Sequence, residues 1–115
     1  MEPTWKTKTG PVKHPVRYAA KVWQLRMKER FGIAVPEFTP QEYGQLKQLV
    51  KHLGTLTPDV IDWALDEVNW WHFCQRARHL HKLKFVPDRP EVGFLLQFRG
   101  HALHLINSMA ESEVA

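Results

Sequence analysis

Seven histidines, one cysteine and twelve carboxylates are the groups that could carry chemistry in this chain. Their spacing argues against most of it. His72 and Cys74 lie two apart, and on a helix they point about 160° from one another, so they cannot chelate one ion. His101 and His104 are three apart and can share one, as can His79 with a residue from elsewhere. No Cys-x-x-Cys or His-Glu-x-x-His spacing supports these histidines, so we expect no metal and no cofactor. Asp59, Asp62 and Asp66 fall on one helical stripe. Such a stripe suits a divalent ion carrying phosphate, but equally a solvated face whose acids complement a helix N-terminus, and the second reading is preferred. The serines are Ser108 and Ser112, at the end of the last expected helix, and Cys74 lies on an apolar flank, the setting of a buried inert thiol. With no phosphate-cradling glycine loop either, we expect no enzyme and assign no catalytic residue.

What remains is positive charge beside large aromatics. The stretch TPDVIDWALDEVNWWHFCQRARHLHKLK, Thr57 to Lys84, is acidic and tryptophan-rich in its first half, with Trp63, Trp70 and Trp71. Its second half lacks acids and carries Arg76, Arg78, His79, His81, Lys82 and Lys84. Phosphate contacts require lysine and arginine, and an aromatic such as Trp70 can stack on an unpaired base. Arg17, Lys21, Lys28, Lys47 and Lys51 extend the patch if the helices bring them together. The third helix opens on acids, which repel phosphate, so a groove-reading helix-turn-helix is not expected and DNA contact falls to the far end.

Those residues need helices to position them. Val16, Ala19, Ala20, Trp23, Met27 and Phe31 recur at three- and four-residue spacing, which predicts a first helix from about 15 to 31 closed by Gly32. Thr39, Pro40 and Glu42 spell a capping box, with Phe38 stapled against Tyr43, opening a second helix from about 40 to 53. Leu56-Thr57-Pro58-Asp59 repeats the device and predicts a third helix from about 58 to 84. Its inward stripe would be Val60, Ile61, Ala64, Leu65, Val68 and Trp71, with Trp63, Trp70, Cys74 and Ala77 beside it. After Cys74 that inward face turns polar. The helix must therefore either project beyond the core or bend to bury Phe73, Ala77 and Leu80. A proline-bounded turn leads to a fourth helix, about 90 to 110, with Val92, Leu95, Leu96, Leu103, Ile106 and Met109 inward. Phe94, Phe98 and Leu105 widen its apolar arc, as a central helix or a subunit contact would require.

The expected fold is therefore all-α, a compact bundle of four helices over residues 15–110. A flexible basic arm (1–14) precedes it and a frayed tail (111–115) follows. A chain of 115 residues supports one core. A formal charge of +4 permits nucleic acid, acidic proteins or anionic surfaces as partners, and five tryptophans favour an interface. One cysteine excludes an internal disulfide, the first residues lack the apolar core of a signal peptide, and no apolar run is long enough to span a bilayer. We expect a cytoplasmic protein without membrane association.

The segments FTPQEYGQLKQLVKHLG, VIDWALDEVNWWHF and VPDRPEVGFLLQFRGHAL together resemble small helical domains of bacteriophages and mobile elements, similar to the C-terminal portions of phage replication-initiation or DnaD-like proteins. The tyrosine–isoleucine–tryptophan signature of DnaD-type domains is lacking. The resemblance implies an accessory protein that binds DNA, single- or double-stranded, or a nucleoprotein complex. The alternative is a small phage-encoded inhibitor or adaptor that binds a host protein. For nucleic acid the expected residues are Arg76, Arg78, Lys82 and Lys84, with Lys47 and Lys51. For a protein partner or a homodimer they are Trp70, Phe94, Phe98 and Leu105.

Overall fold

A computed structural model describes the backbone of residues 6–7, 10–11, 14–34 and 38–114, with side chains over 14–34 and 38–108. The expected arm and tail lie outside the described residues, apart from the backbone of the final helix and a two-residue antiparallel pairing of β1 (Lys6–Thr7) with β2 (Gly10–Pro11). The rest is all-α: α1 (Pro15–Phe31), α2 (Pro40–Leu53), α3 (Thr57–Ala64), α4 (Glu67–His81), α5 (Val92–Gln97) and α6 (Arg99–Val114). Helix α3 sits centrally, against α1, α2, α4 and α6, while α2 carries α5.

The first two helices follow their local signals. Gly32 ends α1 in the left-handed region at φ 67°, where a side chain would be strained. The capping box of α2 is closed in both directions. The Thr39 hydroxyl accepts from the Glu42 N–H, and the Glu42 carboxylate accepts from the Thr39 N–H, each at 3.1 Å. Phe38 meets Tyr43 edge-on at 6.0 Å between centroids. Ala19 and Ala20 let α1 lie close to its neighbours, and Trp23, Leu46, Leu49, Ile61, Phe73 and Leu95 fill the centre.

The longer helices are broken, for reasons visible in the hydrogen bonds. The device at Thr57 does not repeat that at Thr39. A 3-10 turn, Gly54–Leu56, runs straight from α2 into α3, and the buried Thr57 hydroxyl donates back to the Gly54 carbonyl at 2.7 Å. Leu56, expected as the staple, is exposed.

The third helix then stops at Ala64. Asp66 turns extended, and its carboxylate accepts from the N–H groups of Val68 and Asn69, both at 3.0 Å, founding a new helix. The carbonyls freed at the end of α3 are taken up from outside the helix. Arg30 Nη1 donates to those of Asp62 and Leu65, and Asn69 Nδ2 to that of Trp63. The chain thus bends, as one sequence reading allowed, but at Leu65–Asp66 rather than after Cys74. The new helix buries Trp70, Phe73, Cys74 and Ala77, leaving Val68, Trp71 and Leu80 exposed.

It ends earlier too. Lys82, at φ 53° and ψ 46°, is a left-handed C-cap, and the N–H groups of Lys82 and Leu83 both reach the Arg78 carbonyl. Lys84 therefore lies past the helix, in the connection to α5. The fourth expected helix is divided at Phe98, whose side chain turns into the core. Among the described residues, no helix is long and apolar enough to cross a membrane.

Candidate functional site on the fourth helix

The break at Asp66 decides what α4 shows to solvent. Trp70, Phe73, Cys74 and Ala77, at i, i+3, i+4 and i+7, face the core. The flank beside that face presents Trp71, Gln75 and Arg78 in one line, with Lys82 at the C-cap beyond them. Trp70, the tryptophan expected for stacking, is the buried one of the pair. Trp70 is 3% exposed, packs against Phe73 and Phe94, and donates its indole N–H to the Pro87 carbonyl at 3.1 Å. Trp71, expected inside, is 58% exposed, with His72 edge-on to it at 5.1 Å.

The bond from Trp70 to Pro87 ties the segment after α4 back along its flank. Between that segment and the helix lies a groove of about 460 Å³, lined by Trp71, Gln75 and Arg78 on one side and Val86, Pro87 and Asp88 on the other, with Phe31 and Glu67 at its margins. A second depression, of about 340 Å³, continues it along α4 and is lined by Gln75, Arg78, His79 and Leu83. Gln75 and Arg78 belong to both. Cys74 touches the floor of the first, its thiol 3.8 Å from the Pro87 carbonyl. Burial, seconded by the charge of Glu91, pushes the Cys74 thiol up to about 12, which favours the protonated thiol at neutral pH.

The expected cations divide into three groups. Arg78, Lys82 and Lys84 are exposed on α4 and just beyond it. Arg76 faces the other way. It is half-buried and donates from Nε to Nδ1 of His101 on α6 at 3.3 Å, and so belongs to the packing of α4 on α6. Arginine cannot accept, so this bond leaves the His101 proton on Nε2, which lies 2.9 Å from Nε2 of His81. His101 has its pKa lowered by burial first and then by Arg76, His81 and His104. That tautomer leaves no Nε2 lone pair on His101 for a metal shared with His81. Among the described residues, no three His, Cys, Asp or Glu side chains gather to hold an ion.

Lys47 and Lys51 are exposed on α2, and Lys47 shares a depression between α1 and α2 with Arg17 and Tyr43. The cations that would extend a patch on α4 stand on α1 and α2, which pack on one another, while α4 packs on α3 and α6. The expected partner-binding side chains turn inward. Phe98 is buried, Phe94 and Leu105 are half-buried, and Phe94 links Trp70, Phe73 and Phe98 in one aromatic cluster.

Sequence reasoning missed Trp71, Gln75 and the supports of the break. Asp62, expected on a solvated face, accepts from Arg26 Nε at 2.6 Å and Arg30 Nη2 at 3.0 Å. The bond to Asp62, with a lesser one to Glu29, holds the Arg26 pKa above its ordinary value. One local signal was available: Asp66 followed by Glu67, an N-cap residue with an acid in the first turn. Compared with known protein families, characterised proteins and solved structures, the chain finds no match.

Proposed function

We propose that this protein is a non-enzymatic accessory factor that binds DNA or a nucleoprotein complex in the cytoplasm, through the outer face of α4 and the residues that follow it. The supporting observation is the set of cations left over by the fold. Arg78, Lys82 and Lys84 are exposed, and Arg78 lines one groove with the bared indole of Trp71. Among the described residues, the ion pairs join Arg26 and Arg30 to Asp62 and Glu29 and involve none of these three. Unpaired surface cations near an aromatic plane are what phosphate neutralisation and base contact require. The sequence likeness to phage and mobile-element replication domains supports a place in replication or a related DNA transaction.

Titration of labelled DNA at low and moderate salt tests this reading. With three cations engaged, the logarithm of the association constant should fall with the logarithm of salt at a slope of about −3. Arg78→Ala and Lys82→Ala should each weaken binding and flatten that slope by about 1. Binding of neither single nor double strands at low salt would sink the proposal.

The second reading, an inhibitor or adaptor seated on a host protein, draws on the apolar surface nearby: Phe85 is 87% exposed, and Leu80 and Trp71 are over half exposed. It expects one dominant protein to be retained from nuclease-treated lysate, and loss of that protein with Phe85→Ser.

A further inference from the structure

We infer that the groove along α4 is built for an unpaired strand: a base lies against Trp71 in the larger depression while the adjoining phosphate sits against Arg78 and His79 in the smaller one. This rests on the proposed nucleic-acid reading and specifies the ligand's form. The two depressions adjoin the same two side chains, Gln75 and Arg78. They differ in chemistry as a nucleotide does. The larger has an indole on one wall and Val86 and Pro87 on the other, with polar groups of Glu67, Gln75, Arg78 and Asp88 around them. The smaller is headed by a guanidinium and an imidazole.

Volumes of about 460 and 340 Å³ fall within the ~300–1,000 Å³ in which small ligands are usually held. Trp71 and Arg78 are seven residues apart on the same face, so about 10 Å along the axis at 1.5 Å per residue. One short stretch of strand can therefore engage both. Duplex DNA cannot use the slot, because its base faces are covered by their neighbours in the stack. Stacking on a side chain needs a base that is free.

The carboxylates of Glu67 and Asp88 fit the same picture. They line the larger depression and are absent from the smaller. They would repel a phosphate in the slot but accept hydrogen bonds from an N–H on the edge of a base, such as N3–H of thymine. Gln75, at the junction, carries both a donor and an acceptor for that edge.

The decisive experiment compares an oligothymidylate with a duplex of equal length at low salt, using wild type, Trp71→Ala and Trp71→Phe. Trp71→Ala should weaken oligothymidylate binding by about tenfold and leave the duplex unchanged, and Trp71→Phe should retain most of the affinity. In the wild type, the oligothymidylate should also shield tryptophan fluorescence from iodide while the duplex should not. This readout stands even if a variant fails to fold. Equal loss on both DNAs, no loss on the oligothymidylate, or no shielding overturns the inference and leaves general DNA binding in place. Failure of wild type to bind either DNA removes both.

Discussion

Replacing Arg30 should reveal how much of this architecture hangs on one side chain. Its guanidinium donates to the carbonyls of Asp62 and Leu65 and to the Asp62 carboxylate, across the end of α3. Two carbonyl bonds contribute about 1 kcal/mol each. The ion pair, between side chains 34% and 47% exposed, is discounted for solvent to about 0.5 kcal/mol. Arg30→Ala should therefore lower the unfolding free energy by about 2.5 kcal/mol, which at ~4 °C per kcal/mol is a fall in Tm of about 10 °C. Urea unfolding followed by tryptophan fluorescence and by circular dichroism measures it, coincident transitions licensing the two-state treatment. Two companions separate the parts. Asp62→Asn removes the charge but not the carbonyl bonds, and should cost less than half as much. Arg30→Lys keeps a charge but cannot fork to two carbonyls, and should recover less than half of the loss. A cost for Arg30→Ala below about 0.5 kcal/mol, or full rescue by lysine, would refute the claim that Arg30 caps α3.

Two further outcomes follow from the far end of α4. Lys82 holds a left-handed conformation that costs a non-glycine residue about 1 kcal/mol, so Lys82→Gly should raise Tm by a few degrees while weakening DNA binding, opposite signs from one change read by melting and titration. His101 has its pKa lowered from the ordinary 6.5, so the folded state binds its proton less readily than the unfolded one. Its contribution is present above pH 6.5 and is lost as pH falls below it, so Tm should drop from about pH 7.5 to 5, and His101→Gln should flatten that drop.

How far the sequence could be read depended on where each hydrogen-bonding partner lay. Thr39 and Glu42 are three apart, and Gly32 acts on its own turn, so α1 and α2 were legible to the residue. The division at Leu65–Asp66 was not. Val60, Ile61, Ala64, Leu65, Val68 and Trp71 keep helical spacing straight through it, and the donor that makes the gap affordable, Arg30, stands 35 residues from the Leu65 carbonyl. Once two residues leave the helix, the phase of everything after them changes. Trp70 and Trp71 exchange places, and Val68 passes from core to solvent. Arg76 was misjudged for a related reason. Composition marked it as one more cation, and only the packing of α6 supplies the imidazole that claims it.

The same re-phasing argues that the basic end of α4 is more than a complement to its own dipole. Cations near a helix C-terminus stabilise it by interacting with the last carbonyls. Here the backbone itself closes on one of those carbonyls. The Arg78 carbonyl accepts from the N–H groups of Lys82 and Leu83, and the left-handed turn at Lys82 closes the helix without any side chain. Lys84 lies beyond the turn, and Arg78 lines the groove it shares with Trp71. Where α3 ends, by contrast, arginines are drawn in to bond the free carbonyl and carboxylate oxygens directly. A chain that draws Arg26 and Arg30 onto one helix end leaves Arg78, Lys82 and Lys84 out of its ion pairs at another, and Arg78 shares a groove with the one strongly exposed indole among the described residues. Solubility alone would not require that pairing. It is the juxtaposition a phosphate-bearing, base-bearing ligand can use.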